Sequence, residues 1–153
     1  TMGTVRIEPD DVTIEHQDTW WSACKVDVGN PHAVVVTDHT TVSGINLDDS
    51  PTWQPRSAFP DGVNVEFVEQ IDQHTVAMRV HERGSGETMS CGTGTVAVAA
   101  TMAARTRHRG PWTVYVPGGQ VVVTLSPSDD GYQAVLTGPA VILAAGQVDL
   151  PNG

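Results

Sequence analysis

The chain has 153 residues, 39% of them apolar, and a formal net charge of −10, which fits one soluble globular domain with its own core. Eighteen acidic residues stand against eight scattered Lys and Arg, which argues against a nucleic-acid partner. No run approaches the roughly 20 apolar residues that span a bilayer, and no basic start precedes an apolar stretch, so neither a membrane contact nor a secretory leader is expected and the reading is cytoplasmic.

In chain order, Thr4 to Glu8 and Val12 to His16 read as two short strands around a Pro9-Asp10-Asp11 turn, an opening hairpin. Trp20 to Val28 reads as a longer strand with Trp20, Cys24, Val26 and Val28 on its apolar face. Gly29-Asn30-Pro31 breaks it, and Ala33 to Val36 follows as a short, wholly apolar strand. Residues 38–62, rich in Ser, Asp, Pro and Gly, read as a long connection with one helical turn. Val63 to Glu69 and His74 to Arg83 are expected to pair antiparallel.

Gly92 to about Thr106 is Ala-rich, free of Pro and apolar around its circumference, the pattern of a helix buried on most sides. Arg105, Arg107 and His108 suit the negative end of its dipole, and Gly110-Pro111 is expected to stop it. Trp112 to Val116 and Gln120 to Leu125 flank Pro117-Gly118-Gly119 as a hairpin, and Tyr132 to Leu136 and Val141 to Ala144 complete about nine strands. One helix among so many strands predicts an α+β fold, a mainly antiparallel sheet curled barrel-like around one long buried helix, in a single domain over 1–153.

The chemistry concentrates in Glu82-Arg83-Gly84-Ser85-Gly86-Glu87-Thr88-Met89-Ser90-Cys91-Gly92-Thr93-Gly94-Thr95. Its four glycines allow close backbone approach, and Cys91 sits where a loop becomes a helix. First-turn amides at Gly92, Thr93 and Gly94, with the helix dipole, suit a carboxylate or an enolate-like oxygen. The same field is expected to lower the thiol pKa of Cys91. Alternation through Val76, Met78 and Val80 puts Glu82 on the inward face, where a carboxyl can exchange protons with a thiol, and Arg83 can meet a substrate carboxylate. A lone cysteine at a helix start is more often structural; its company of Glu82, Arg83 and four glycines favours function here. Cys24, beside Val26 and Val28, reads as core. The two cysteines form no CxxC pair and the six histidines have no metal-ligand spacing, so free thiols and no metal are expected.

ERGSGET at 82–88 followed by CGTG at 91–94, with GNPH at 29–32 and GVNVEF at 62–67, closely resembles the second half of diaminopimelate epimerases. The resemblance runs from Met2-Gly3, which looks like an interdomain boundary, to Gly138-Pro139-Ala140. It implies an isomerase that needs neither pyridoxal phosphate nor any other cofactor. Two halves close on diaminopimelate, and a thiolate and a thiol, one from each half, exchange its α-proton from opposite faces. By resemblance Cys91 is the second-half acid/base with Glu82 as partner, His32 assists the other cysteine, and Asn30, Asn64, Glu82, Arg83, Gly92 and Thr93 match substrate-binding positions. From the residues alone, Asn30-Pro31 is equally a turn initiator, Asn64 falls with Glu66 on a polar face, and His32 is an ordinary satisfied histidine.

The family's first half, with its MCGNG-like motif and second cysteine, is not in this sequence, and a single thiol returns a proton only to the face it came from. The chain alone is therefore expected to be inactive and to need that N-terminal half as partner. The family's final strand returns to the first domain, so Val141 to Leu150 is expected to be displaced, disordered, or in contact with a second copy in a homodimer. Two other readings stand beside this one. The first is a related cofactor-independent isomerase, proline racemase-like or phenazine-type, although proline racemases carry an aspartate and a different run before CGTG and the phenazine type lacks the cysteine. The second is a non-catalytic binding module of the same fold, which has no need of a reactive thiol.

Overall fold

The structure, a computed structural model, describes residues 1–38 and 40–147, the side chains of 9–11 excepted. Ten strands and one helix follow in order: β1 (Thr4–His16), β2 (Thr19–Asp27), β3 (Pro31–Val36), β4 (Thr52–Gln54), β5 (Asn64–Asp72), β6 (Thr75–Glu82), β7 (Gly86–Thr88), α1 (Gly92–Thr106), β8 (Trp112–Val116), β9 (Gly119–Ser128) and β10 (Gly131–Thr137). Eight of them close into a barrel in the order β1-β2-β3-β5-β6-β8-β9-β10 and back to β1. Neighbours pair antiparallel except β3 with β5 and β6 with β8. The short β4 and β7 attach outside the ring, to β1 and β6.

The expected curled sheet around a buried helix is the observed architecture. Ten successive residues of α1, Gly94 to Ala103, are buried. A helix enclosed by strands on all sides cannot be amphipathic, and its alanines keep it slim enough to fit inside the ring. Val5, Val26, Val34, Val68, Val76, Met78, Val80, Trp112, Val114, Val123 and Ala134 pack around it as one core. A second, outer cluster forms where the connection between β3 and β5 folds over the barrel wall, setting Val42, Ile45, Leu47, Phe59 and Val63 against Ile14, Val35, Val65 and Phe67. The wall there has apolar neighbours on both sides, which is why β3 is apolar at every position from Ala33 to Val36.

Several local expectations are corrected. The opening hairpin is one strand: β1 runs through residues 9–11 and pairs with β2 on both sides of a bulge, four steps along β1 from Glu8 to Val12 matching two along β2 from Lys25 to Ala23. Trp20 is exposed, and Trp21 packs instead, edge-on to Phe67 in the outer cluster. The helix ends before Gly110-Pro111, at Arg107, whose φ of 61° is left-handed. The connection carries two 3-10 turns, Val42–Gly44 and Arg56–Ala58, as well as β4. Val141 to Ala144 is not a strand; residues 138–147 have no regular structure and are exposed, and Leu150 with its neighbours 148 and 149 lies outside the described residues.

The seam of the barrel is β1 with β10, where Val5 faces Tyr132 and Thr4 faces Gln133. It needs glycine at 131: a Cβ there would stand 2.2 Å from the Val5 carbonyl oxygen, and the residue has φ +134°. Among the described residues no helix is long and apolar enough to cross a membrane.

Candidate active site

Cys91 is the N-cap of α1, with extended φ −127° and ψ 111°, and its Sγ accepts from the Gly94 amide at 3.4 Å. The Thr93 hydroxyl lies 3.6 Å from the sulfur. The Cys91 carbonyl receives both the Thr95 amide, at 2.9 Å, and the Thr95 hydroxyl, at 2.8 Å. The first-turn amides of Gly92 and Thr93 have no intrahelical acceptor and face the same end of the barrel. The cysteine is 7% exposed.

Burial pushes the Cys91 thiol above its ordinary value, against hydrogen bonds from Thr93 and Gly94 that pull it down, and the negative charges of Glu82 and Glu66 push it further up. The expected lowering at the helix terminus is thus overturned: desolvation of a thiolate in a barrel mouth, beside two carboxyls, outweighs the donors of one helix turn.

The strands deliver the other groups to the same rim. His32 at the start of β3 pairs in register with Asn64 at the start of β5, and Val65 pairs with His81, one step from Glu82 at the end of β6. Glu82 is half-buried; its Oε1 accepts a short hydrogen bond from the Thr88 hydroxyl of β7 rather than from the thiol. Asn64 is buried, and its Oδ1 accepts from the Arg83 amide at 2.9 Å, holding the loop after β6. The Arg83 side chain is exposed and donates to the Asp61 carbonyl at 3.0 Å.

His32 is fully buried, with Nδ1 2.6 Å from Glu66 Oε1 and Nε2 3.1 Å from Asn30 Oδ1. Glu66 itself is 0% exposed, and burial holds its carboxyl above the usual range although His32 pulls it down. The polar-face expectation for Asn64 and Glu66 is therefore wrong. On β5 the outer cluster takes Val65 and Phe67, which turns Asn64, Glu66 and Val68 inward. Glu66 is the site residue that sequence reasoning missed. Its signal lay in GVNVEF itself, since a strand whose apolar face is already assigned sends its carboxylate the other way.

Gly94 shows how tightly these groups sit. A Cβ at that position would lie 2.6 Å from Glu66 Oε1 and 3.3 Å from Cys91 Sγ. Gly92 is open except for the Met2 side chain, whose methyl would lie 3.4 Å from such a Cβ. Of the residues singled out in the sequence, the structure thus gathers Cys91, Gly92, Thr93, Glu82, Asn64, Arg83, His32 and Asn30 at one end of the barrel. Cys24 lies elsewhere, half-buried beside Thr101 near the helix C-terminus, where burial raises its thiol.

A closed eight-stranded barrel with a helix along its axis and a thiol at the helix start has the architecture of a diaminopimelate epimerase-like half. A family model described as diaminopimelate epimerase matches residues 24–143, and the chain belongs to that family. A diaminopimelate epimerase of Streptomyces coelicolor is 46% identical over 97% of this chain and 52% of its own length. One from Rhodococcus opacus is 50% identical over 81% and 43% respectively. The chain spans about half the length of the curated relatives it matches. Among solved structures, a Bacillus anthracis phenazine biosynthesis protein of the PhzF family aligns over 70% of this chain and 33% of its own at 20% identity, with a TM-score of 0.45.

Proposed function

We propose that this chain is the second half of a diaminopimelate epimerase, and that Cys91 moves the α-proton on one face of diaminopimelate while a cysteine of the first half serves the other face. The observation that carries the reading is Cys91 itself, a thiol capping a barrel-enclosed helix with Glu82 and unpaired first-turn amides beside it. Glu82 takes the thiol proton, the thiolate so formed takes the α-proton, and the opposing thiol supplies a proton to the other face. The Gly92 and Thr93 amides receive the substrate carboxylate, whose negative charge grows toward an enolate as the α-proton leaves. Arg83 at the rim, with Asn30 and Asn64, binds the polar groups of the amino acid.

Inversion needs a donor opposite the base, so this chain without a first half is inactive. Whether joined to it or separate, that half is the required partner, and no cofactor takes part. The test is Cys91→Ser in the two-half assembly. Turnover should fall by about a thousandfold or more, because an alcohol is a far poorer proton exchanger than a thiol, while binding of a substrate analogue survives. Unchanged turnover would remove Cys91 from the reaction.

A further inference from the structure

We infer that Glu66 is a positioning residue for His32, fixing its ring and tautomer beside the helix turn that carries Cys91. The inference rests on the proposed function for the role of His32, and on geometry for everything else.

A carboxyl wholly removed from water is destabilising unless its environment compensates. Oε1 lies 2.6 Å from His32 Nδ1, while Oε2, equally buried, has no hydrogen-bond partner among the described residues. An acid retained there at half its hydrogen-bonding capacity is poorly explained by stability. It is well explained by what it does to the imidazole. Asn30 Oδ1 accepts at the other ring nitrogen, so Nε2 carries a hydrogen and one proton lies between Nδ1 and Oε1. The pair is neutral overall as imidazole with carboxylic acid or as imidazolium with carboxylate.

Nε2 therefore holds the exchangeable hydrogen: when it passes to a thiolate, the proton between Oε1 and Nδ1 settles on Nδ1 and leaves Glu66 a carboxylate. In the reverse step a thiol proton passes to the bare Nε2, giving a thiolate and an imidazolium whose charge the Glu66 carboxylate balances. The same carboxyl lies beside the first turn of α1, where a Cβ at Gly94 would stand 2.6 Å from Glu66 Oε1 and 3.3 Å from Cys91 Sγ.

Two measurements test this. In the chain as it stands, nuclear magnetic resonance of the His32 ring should show a strongly deshielded Nδ1 proton, lost in Glu66→Gln; ring nitrogens typical of a free tautomer mixture would overturn the inference, with no variant needed. In the two-half assembly, Glu66→Gln should lower kcat about tenfold to a hundredfold with KM for diaminopimelate nearly unchanged, the signature of a group acting on proton transfer rather than on binding. A full kcat in Glu66→Gln, beside a dead Cys91→Ser, would sink the role of Glu66 and leave the proposed function standing. Failure of the unsubstituted assembly to epimerise diaminopimelate would sink the proposed function, and the His32 spectrum would still decide whether Glu66 fixes the ring.

Discussion

At the scale of single residues, the site is organised around a side chain that is absent. Glycine at 94 leaves room for Glu66 on one side and the Cys91 sulfur on the other, and either must shift if a methyl group is added. Gly94→Ala should therefore cost about 1–3 kcal/mol of stability, as overpacking of a filled interior does, and should lower turnover of the two-half assembly at least about tenfold. Chemical denaturation and steady-state kinetics check both. Wild-type kinetics in the alanine variant would show that position 94 is not crowded in solution. The thiol gives a second prediction. Because burial, Glu82 and Glu66 hold Cys91 protonated, its alkylation rate in this chain should rise with pH through a midpoint above the ordinary value of 9.0, and Glu82→Gln, by removing one of those charges, should bring the midpoint down. A midpoint below 9.0 in the unsubstituted chain would restore the lowering expected at a helix terminus. Cys91, Glu82 and the loop glycines were legible in the sequence because unusual residue types cluster there. Glu66 was not, because period-2 reasoning assumes one wet face, and β5 has none along most of its length.

At the scale of elements, Arg79 on β6 is the tie that fixes the loop carrying the site. Its Nε and Nη2 donate to the two oxygens of Glu87 on β7 at 2.6 and 2.8 Å, and its Nη1 reaches the Val42 carbonyl at 3.0 Å and, through a short contact, that of Ile45. One guanidinium thereby joins β6, the hairpin that presents Glu82 and Arg83, and the first 3-10 turn of the outer layer. Arg79→Met should cost about 1–2 kcal/mol, allowing for partial exposure of the pair, and should loosen amide protection of β7 before that of the barrel strands. The hydrogen bonds from Arg79 hold the Glu87 carboxyl below its ordinary value. That contribution is complete above the unfolded carboxylate range and is lost as pH falls through the lowered folded value, so the stability difference between the parent chain and the Arg79→Met variant should shrink on acidification. A gap that widens in acid would contradict the assignment. The helix and the strands β2, β3, β6, β8 and β10 could be read within a residue or two, since apolar alternation and the Ala-rich run are strong local signals, whereas the short β4 and β7 were not read and β5 and β9 run three residues further than expected. The error at residues 9–11 has a physical origin: Pro9-Asp10-Asp11 carries turn chemistry, and only tertiary pairing of both flanks with β2 shows that the strand continues through a bulge.

At the scale of the whole molecule, closure of the barrel decides whether the helix is sheltered and the rim assembled. Closure depends on the approach of Gly131 to the Val5 carbonyl, so Gly131→Ala should destabilise the fold by about 2–4 kcal/mol, and urea unfolding should register it. An alanine there within about 0.5 kcal/mol of the parent would mean that the seam is looser than described. The run Val141, Ile142 and Leu143 beyond β10 is exposed. The barrel was legible only as a class, one helix among many strands; which strands run parallel and where the ring closes depend on pairings between distant segments. The account as a whole is tested most directly by α-deuterium incorporation into diaminopimelate in heavy water, using this chain mixed with an epimerase first half. Incorporation with inversion is expected from the mixture, no inversion from this chain alone, and no inversion from the mixture carrying Cys91→Ser; inversion undiminished by that substitution would contradict it.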